Sequence, residues 1–177
     1  MKILIKSFII VILSIVSSYS ACDLKAEFGE KKEVFEKREM IGRTFPLEYP
    51  ELEVFPVLAD DICPNQKLKD VGIEYRFLNN ELVAINFVAL NDDRNLVSEK
   101  LLLMNYVKNN YKKFDTGKNP NSYEGVEVIE KTNLFVVYQR ITGEDGIKNE
   151  QIYLSTPELD EKLSKFYAEK EMEMAKN

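Results

Sequence analysis

Apolar and polar residues alternate from Val71 to Phe77, with Val71, Ile73, Tyr75 and Phe77 separated by Gly72, Glu74 and Arg76. That is the period of a half-buried strand. Asn79-Asn80 follows, a pair that tolerates the positive φ of a tight hairpin turn. The next run, Leu82 to Leu90, is apolar on both faces. It predicts a central strand covered by a helix on one side and by the proline-rich segment 44–65 on the other.

Leu96, Val97, Leu101, Met104 and Val107 then recur at helical spacing, which predicts a helix from about Asn95 to Lys113 with Asn95 as its N-cap. Three strands are expected next, at about Gly125–Lys131, Leu134–Ile141 and Glu150–Ser155. Thr156 and Pro157 form a helix start, and Leu159, Leu163, Phe166 and Met174 would line the buried face of the helix that follows. Short connections favour antiparallel neighbours. The expected fold is α+β: one antiparallel sheet of about five strands in the order ββαβββα, with the helices mainly on one face.

The region before Val71 is patterned differently. Leu24, Phe28 and Phe35 share a helical face in a highly charged stretch, 23–43, which predicts a short amphipathic helix weakened by Gly29. Between residues 44 and 65 lie Pro46, Pro50, Pro56 and Pro64, interleaved with large apolar residues. Proline excludes a helix interior or a central strand, and the apolar content excludes a solvated linker. An extended segment packed across the main domain is expected, with room for an edge strand. The organisation is thus a leader at 1–20, a helix and Pro-rich segment at 21–69, and the α+β domain at 70–177. Eight large apolar residues on an extended chain cannot all point inward, so Tyr49, Leu52 and Phe55 are candidate partner-binding residues.

The leader reads as a cleavable signal peptide. Lys2 and Lys6 precede an apolar stretch from Phe8 to Val16, and small residues follow, with Ser18 and Ser20 placed for a cut after Ser20. The stretch is shorter than the roughly 20 residues a membrane span needs. The alternative is a lipoprotein, because Cys22 stands where a lipidated cysteine would, although Tyr19 occupies a position that favours a branched aliphatic residue. The expected location is therefore the periplasm or the exterior, with membrane attachment only if Cys22 is lipidated.

Export changes how the cysteines are read. There are two, Cys22 and Cys63, and an even count in an oxidising space is most simply one disulfide. Removing Lys2 and Lys6 leaves 22 basic residues against 30 acidic ones, a net charge of −8. That excludes the cationic field needed for non-specific binding to nucleic acid.

The chain has no His. This removes Ser-His-Asp and Cys-His catalysis and His-ligated zinc. No phosphate-cradling glycine motif is present. The local acid pairs Asp60-Asp61, Asp92-Asp93 and Glu144-Asp145 suit solvated turns. The loop Asp115-x-Gly117-x-Asn119-x-Asn121 lacks the full ligand series of a calcium loop. Lys108, Lys112, Lys113 and Lys118 gather near Tyr106 and Tyr111 at a helix end, where the helix dipole favours cations. The expectation is a small non-enzymatic binding or accessory protein of the cell envelope, without a cofactor, acting on an unknown protein or envelope component. A carboxylate-dependent hydrolase, assembled from distant acids, is the alternative.

Overall fold

A computed structural model describes residues 22–38 and 42–176. The expected leader at 1–20, its cleavage site and residues 39–41 lie outside the described residues. The elements are α1 (Lys32–Phe35), β1 (Phe45–Pro46), β2 (Leu52–Leu58), α2 (Ala59–Ile62), β3 (Val71–Leu78), β4 (Glu81–Ala89), α3 (Leu102–Asn110), β5 (Gly125–Lys131), β6 (Leu134–Thr142), β7 (Lys148–Ser155) and α4 (Pro157–Met174). The strands form one seven-stranded antiparallel sheet in the order β1-β2-β3-β4-β7-β6-β5.

The α+β class holds, and two features of it are corrected. The sheet has seven strands because the Pro-rich segment joins it as β1 and β2. Pro56 is accommodated because β2 has only the two-residue β1 beyond it, and that pairing ends at Val54. The helices also lie on opposite faces. Leu103, Met104, Tyr106 and Val107 of α3 pack in a core with Ile73, Tyr75, Ile85, Phe87, Tyr138 and Ile152. Leu159 and Leu163 of α4 pack on Leu52, Leu78, Val83 and Ala84 from the other side. The apolar run on both faces of β4 marks this two-sided cover. A register shift between Arg76 and Phe77 skips Val83, so Val83 and Ala84 both turn toward α4.

The amphipathic helix expected over 23–43 shrinks to the four residues of α1. Residues 22–28 instead run over the α3 face. Cys22 is joined to Cys63 by a disulfide. The Cys22 N–H donates to the Tyr106 hydroxyl at 3.1 Å, and the Tyr75 hydroxyl donates to the Leu24 carbonyl at 2.7 Å. Gly29 (φ 83°) then turns the chain so that its N–H reaches the Leu82 carbonyl at 2.9 Å.

The predicted helix at 95–113 starts later, at Leu102, after a 3-10 turn at Val97–Lys100. Asn95 is not its cap; Leu101 occupies that position in the left-handed region, φ 56°, with no side-chain cap of its own. At α4 the cap is as expected, the Thr156 hydroxyl accepting from the Leu159 N–H at 3.2 Å with Pro157 opening the helix. Met174 is exposed rather than buried.

Candidate functional site

Among the described residues, the face of the sheet that carries α4 is only partly covered. Strand register places Leu58, Gly72, Val88, Gln151, Gln139 and Val126 opposite one another in a single row across β2, β3, β4, β7, β6 and β5. None of them belongs to the α4 core. Leu58 and Val126 at the two ends are exposed, Val88 and both glutamines are half-buried, and Gly72 presents no side chain. The neighbouring row, Pro56, Glu74, Asn86, Tyr153, Val137 and Val128, forms the border with the helix. Its Tyr153 hydroxyl donates to Asp160 of α4 at 2.7 Å.

The open area is apolar at both ends and polar in the middle. In the middle, Gln151 donates to Gln139 at 2.9 Å. Arg76 bonds Glu74 at 2.8 Å, and with the Asn86 amide turned so that its oxygen faces the guanidinium, Arg76 donates to that oxygen through Nε at 3.1 Å and Nη2 at 2.9 Å. These bonds satisfy polar groups that would otherwise be costly to hold beneath a partner. At one end the missing Gly72 side chain leaves a groove of about 420 Å³ walled by Pro56, Leu58, Val88 and Leu90, with Asp61 and Glu74 at its rim. A second hollow, about 220 Å³, lies on the α3 side and is lined mainly by amides: Asn65, Gln66, Asn105, Asn109 and Asn110.

The residues singled out in the sequence fall elsewhere. Leu52 and Phe55 are buried, at 1% and 4% exposure. Tyr49 is half-buried, its ring edge-on to Phe166 at 5.5 Å. β2 directs Leu52 to α4 and Phe55 to the opposite core, so the three do not make one surface. The exposed members of β2 are Pro56 and Leu58. Two signals were available for this: the alternation within β2, and a glycine at position 72 where a strand side chain would fill the space.

The acid pairs are dispersed and exposed: Asp60-Asp61 on α2, Asp92-Asp93 in the turn after β4 and Glu144-Asp145 in the β6–β7 turn. Among the described residues no three His, Cys, Asp or Glu side chains are placed to hold a metal ion. The Asp115 carboxylate and the Asn119 side-chain amide oxygen accept from the N–H groups of Gly117 and Asn121, at 2.8 and 3.1 Å, as local turns do. Lys108 of the lysine cluster lies over the Phe114 ring at 4.8 Å and donates to Thr116.

One buried group of charges had no sequence signal. Arg140 and Glu150 are cross-strand partners on β6 and β7, both essentially inaccessible. Glu150 Oε1 accepts from the Tyr138 hydroxyl at 2.8 Å and from the Met104 N–H at 3.0 Å. Among the described residues, Glu150 Oε2, the three Arg140 guanidinium nitrogens and the Ser98 hydroxyl have no hydrogen-bond partner. Burial raises the Glu150 pKa, while its two hydrogen bonds and the Arg140 charge oppose that shift. Neither hollow is lined by this group, and its visible bonds tie α3 to the sheet.

No family model, curated protein or solved structure matches this chain. Among the described residues no helix is long and apolar enough to cross a membrane. The disulfide fits an oxidising compartment.

Proposed function

We propose that this chain is an exported, non-enzymatic binding or accessory protein of the cell envelope, and that it engages a protein partner on the open half of its sheet. The observation that carries the reading is the uncovered six-residue row from Leu58 to Val126 with a groove at Gly72. The groove suits one apolar side chain of the partner, and Asp61 at its rim favours a basic residue beside it, Glu74 being already paired with Arg76. The bonded Arg76–Asn86 and Gln139–Gln151 pairs would lie beneath the partner already satisfied. Export rests on the leader and on the Cys22–Cys63 disulfide.

The test is photo-crosslinking in the producing cell. A photoreactive residue at Val88 should yield a discrete protein adduct that a Leu58→Asp substitution removes. The same probe at Glu161, on α4, serves as the surface control. Adducts at Val88 no stronger than at Glu161 would sink the reading.

A further inference from the structure

The two edges of the sheet are unlike. On one side β1 is two residues long and contains Pro46, which cannot donate to an added strand. On the other, β5 runs seven residues, Gly125–Lys131, without proline, and pairs only with β6 among the described residues. Its Val126 and Val128 are about half exposed on the open face of the sheet. Long edges with apolar side chains are templates for strand addition.

The β5–β6 hairpin turns through Thr132-Asn133, flanked by the pair Lys131 and Leu134. The pair flanking a two-residue turn is hydrogen-bonded, and bonded pairs alternate along an antiparallel ladder. Val126, Val128 and Glu130 therefore direct their backbone groups away from β6, toward the free edge.

We propose that two copies of this chain pair through β5, antiparallel about a two-fold axis at Ile129. In that register Val128 of one copy exchanges backbone bonds with Glu130 of the other, on both sides of the axis. Glu127 falls opposite Lys131 of the other copy, twice, at non-bonded positions where side chains lie closest. Shifting the axis to Val128 instead sets Glu127 against Ile129 and loses both charge pairs. The strand is thus complementary to itself in charge in one register, and this favours a second copy over an unrelated strand. The pairing would set each Val128 opposite Glu130 of the other copy, with the two Val128 side chains diagonal to each other across the seam, and would make the two open faces continuous. It uses only the edge and does not depend on the partner proposed above.

Sedimentation equilibrium on the protein as isolated from the producing cell, across a concentration series at near-physiological salt, tests this. The expected species has twice the monomer mass. Val128→Pro should give folded monomer with the melt of dilute, dissociated wild type, because the proline removes only an edge-facing N–H. Lys131→Glu should weaken association about tenfold by setting like charges opposite each other twice. Adding Glu127→Lys to it should restore association. A wild type that stays monomeric at every concentration, a Val128→Pro dimer, or a double charge swap that fails to recover would each overturn the proposal. If Val128→Pro does not fold, the charge-swap series decides.

Discussion

Glu150 accepts a hydrogen bond from the Met104 backbone N–H at 3.0 Å, so a carboxylate on β7 caps α3 across 46 residues of sequence. α3 begins at Leu102 without a side-chain cap from its own N-terminal residue. The orphan N–H groups of a first turn need an acceptor, and an anion there also meets the positive end of the helix dipole. The Tyr138 hydroxyl donates to the same oxygen at 2.8 Å. Replacing Glu150 with Ala strands both donors and the buried Arg140. A loss of about 3 kcal/mol is expected, read by urea denaturation. Glu150→Gln keeps an acceptor at that oxygen and should cost less.

The charge of Glu150 gives the stability a pH dependence. Burial raises its folded-state pKa above the usual 4.5. An acid raised by folding stabilises the fold fully while protonated in both states, below about 4.5, and loses that contribution as pH rises through the folded value. The wild type should therefore lose stability relative to Glu150→Gln as pH climbs from about 4.5 into the weakly acidic range. Parallel unfolding curves across that range check it. A constant difference would mean that Glu150 titrates alike in both states.

Arg140 should be coupled to Glu150. The two are cross-strand partners, both buried, and the Arg140 charge acts to lower the Glu150 pKa. Arg140→Met alone leaves a buried carboxylate without its counter-ion, and Glu150→Gln alone leaves a buried guanidinium. Each single change should cost about 2–3 kcal/mol, whereas the double variant should lie closer to wild type than their sum by at least about 1 kcal/mol. Additive losses in a double-mutant cycle would show that the two charges do not interact.

Much of the sheet was legible in the chain. Asn79 and Asn80 both take positive φ, 48° and 69°, as their turn requires. Thr156-Pro157 starts a helix because one residue supplies the cap acceptor and the other needs no N–H. The two-sided apolar run of β4 did mark cover on both faces, but one cover proved to be α4 rather than the Pro-rich segment. What failed depended on partners remote in sequence. Nothing local tells that a glutamate in an alternating strand will be buried under a helix start 46 residues away. Leu52 and Phe55 looked exposable because proline argued against a regular strand, yet β2 pairs with β3 along its whole length and sends them into opposite cores.

The disulfide should carry a large share of stability. Cys22 and Cys63 are 41 residues apart, and closing such a loop is worth about 4 kcal/mol in the chain-entropy model. Reduction also frees segment 22–28, whose Leu24, Ala26 and Phe28 rest on the α3 core. Urea midpoints with and without reductant should differ by a corresponding amount, and the doubly substituted Cys22→Ser/Cys63→Ser protein should match the reduced wild type. A midpoint unmoved by reduction would show that contacts alone hold the segment.

The open face can be probed by filling its groove from inside. Gly72 lies in β3 with ordinary extended backbone, so a larger residue there meets no φ penalty. A Cβ at this position would lie 3.3 Å from Leu90 Cδ2, a close but adjustable contact because Leu90 is 43% exposed and can swing outward. Valine there would occupy the floor between Leu58 and Val88 and add a β-branched residue where strand geometry favours one. Gly72→Val should therefore leave the melt within about 1 kcal/mol of wild type while cutting partner capture at least tenfold. Capture is measured as the yield of the Val88 photo-adduct and stability by thermal denaturation. An unchanged adduct yield would show that the partner does not enter the groove. A collapse in stability would instead make Gly72 a packing requirement for Leu90, and the groove a by-product of that contact.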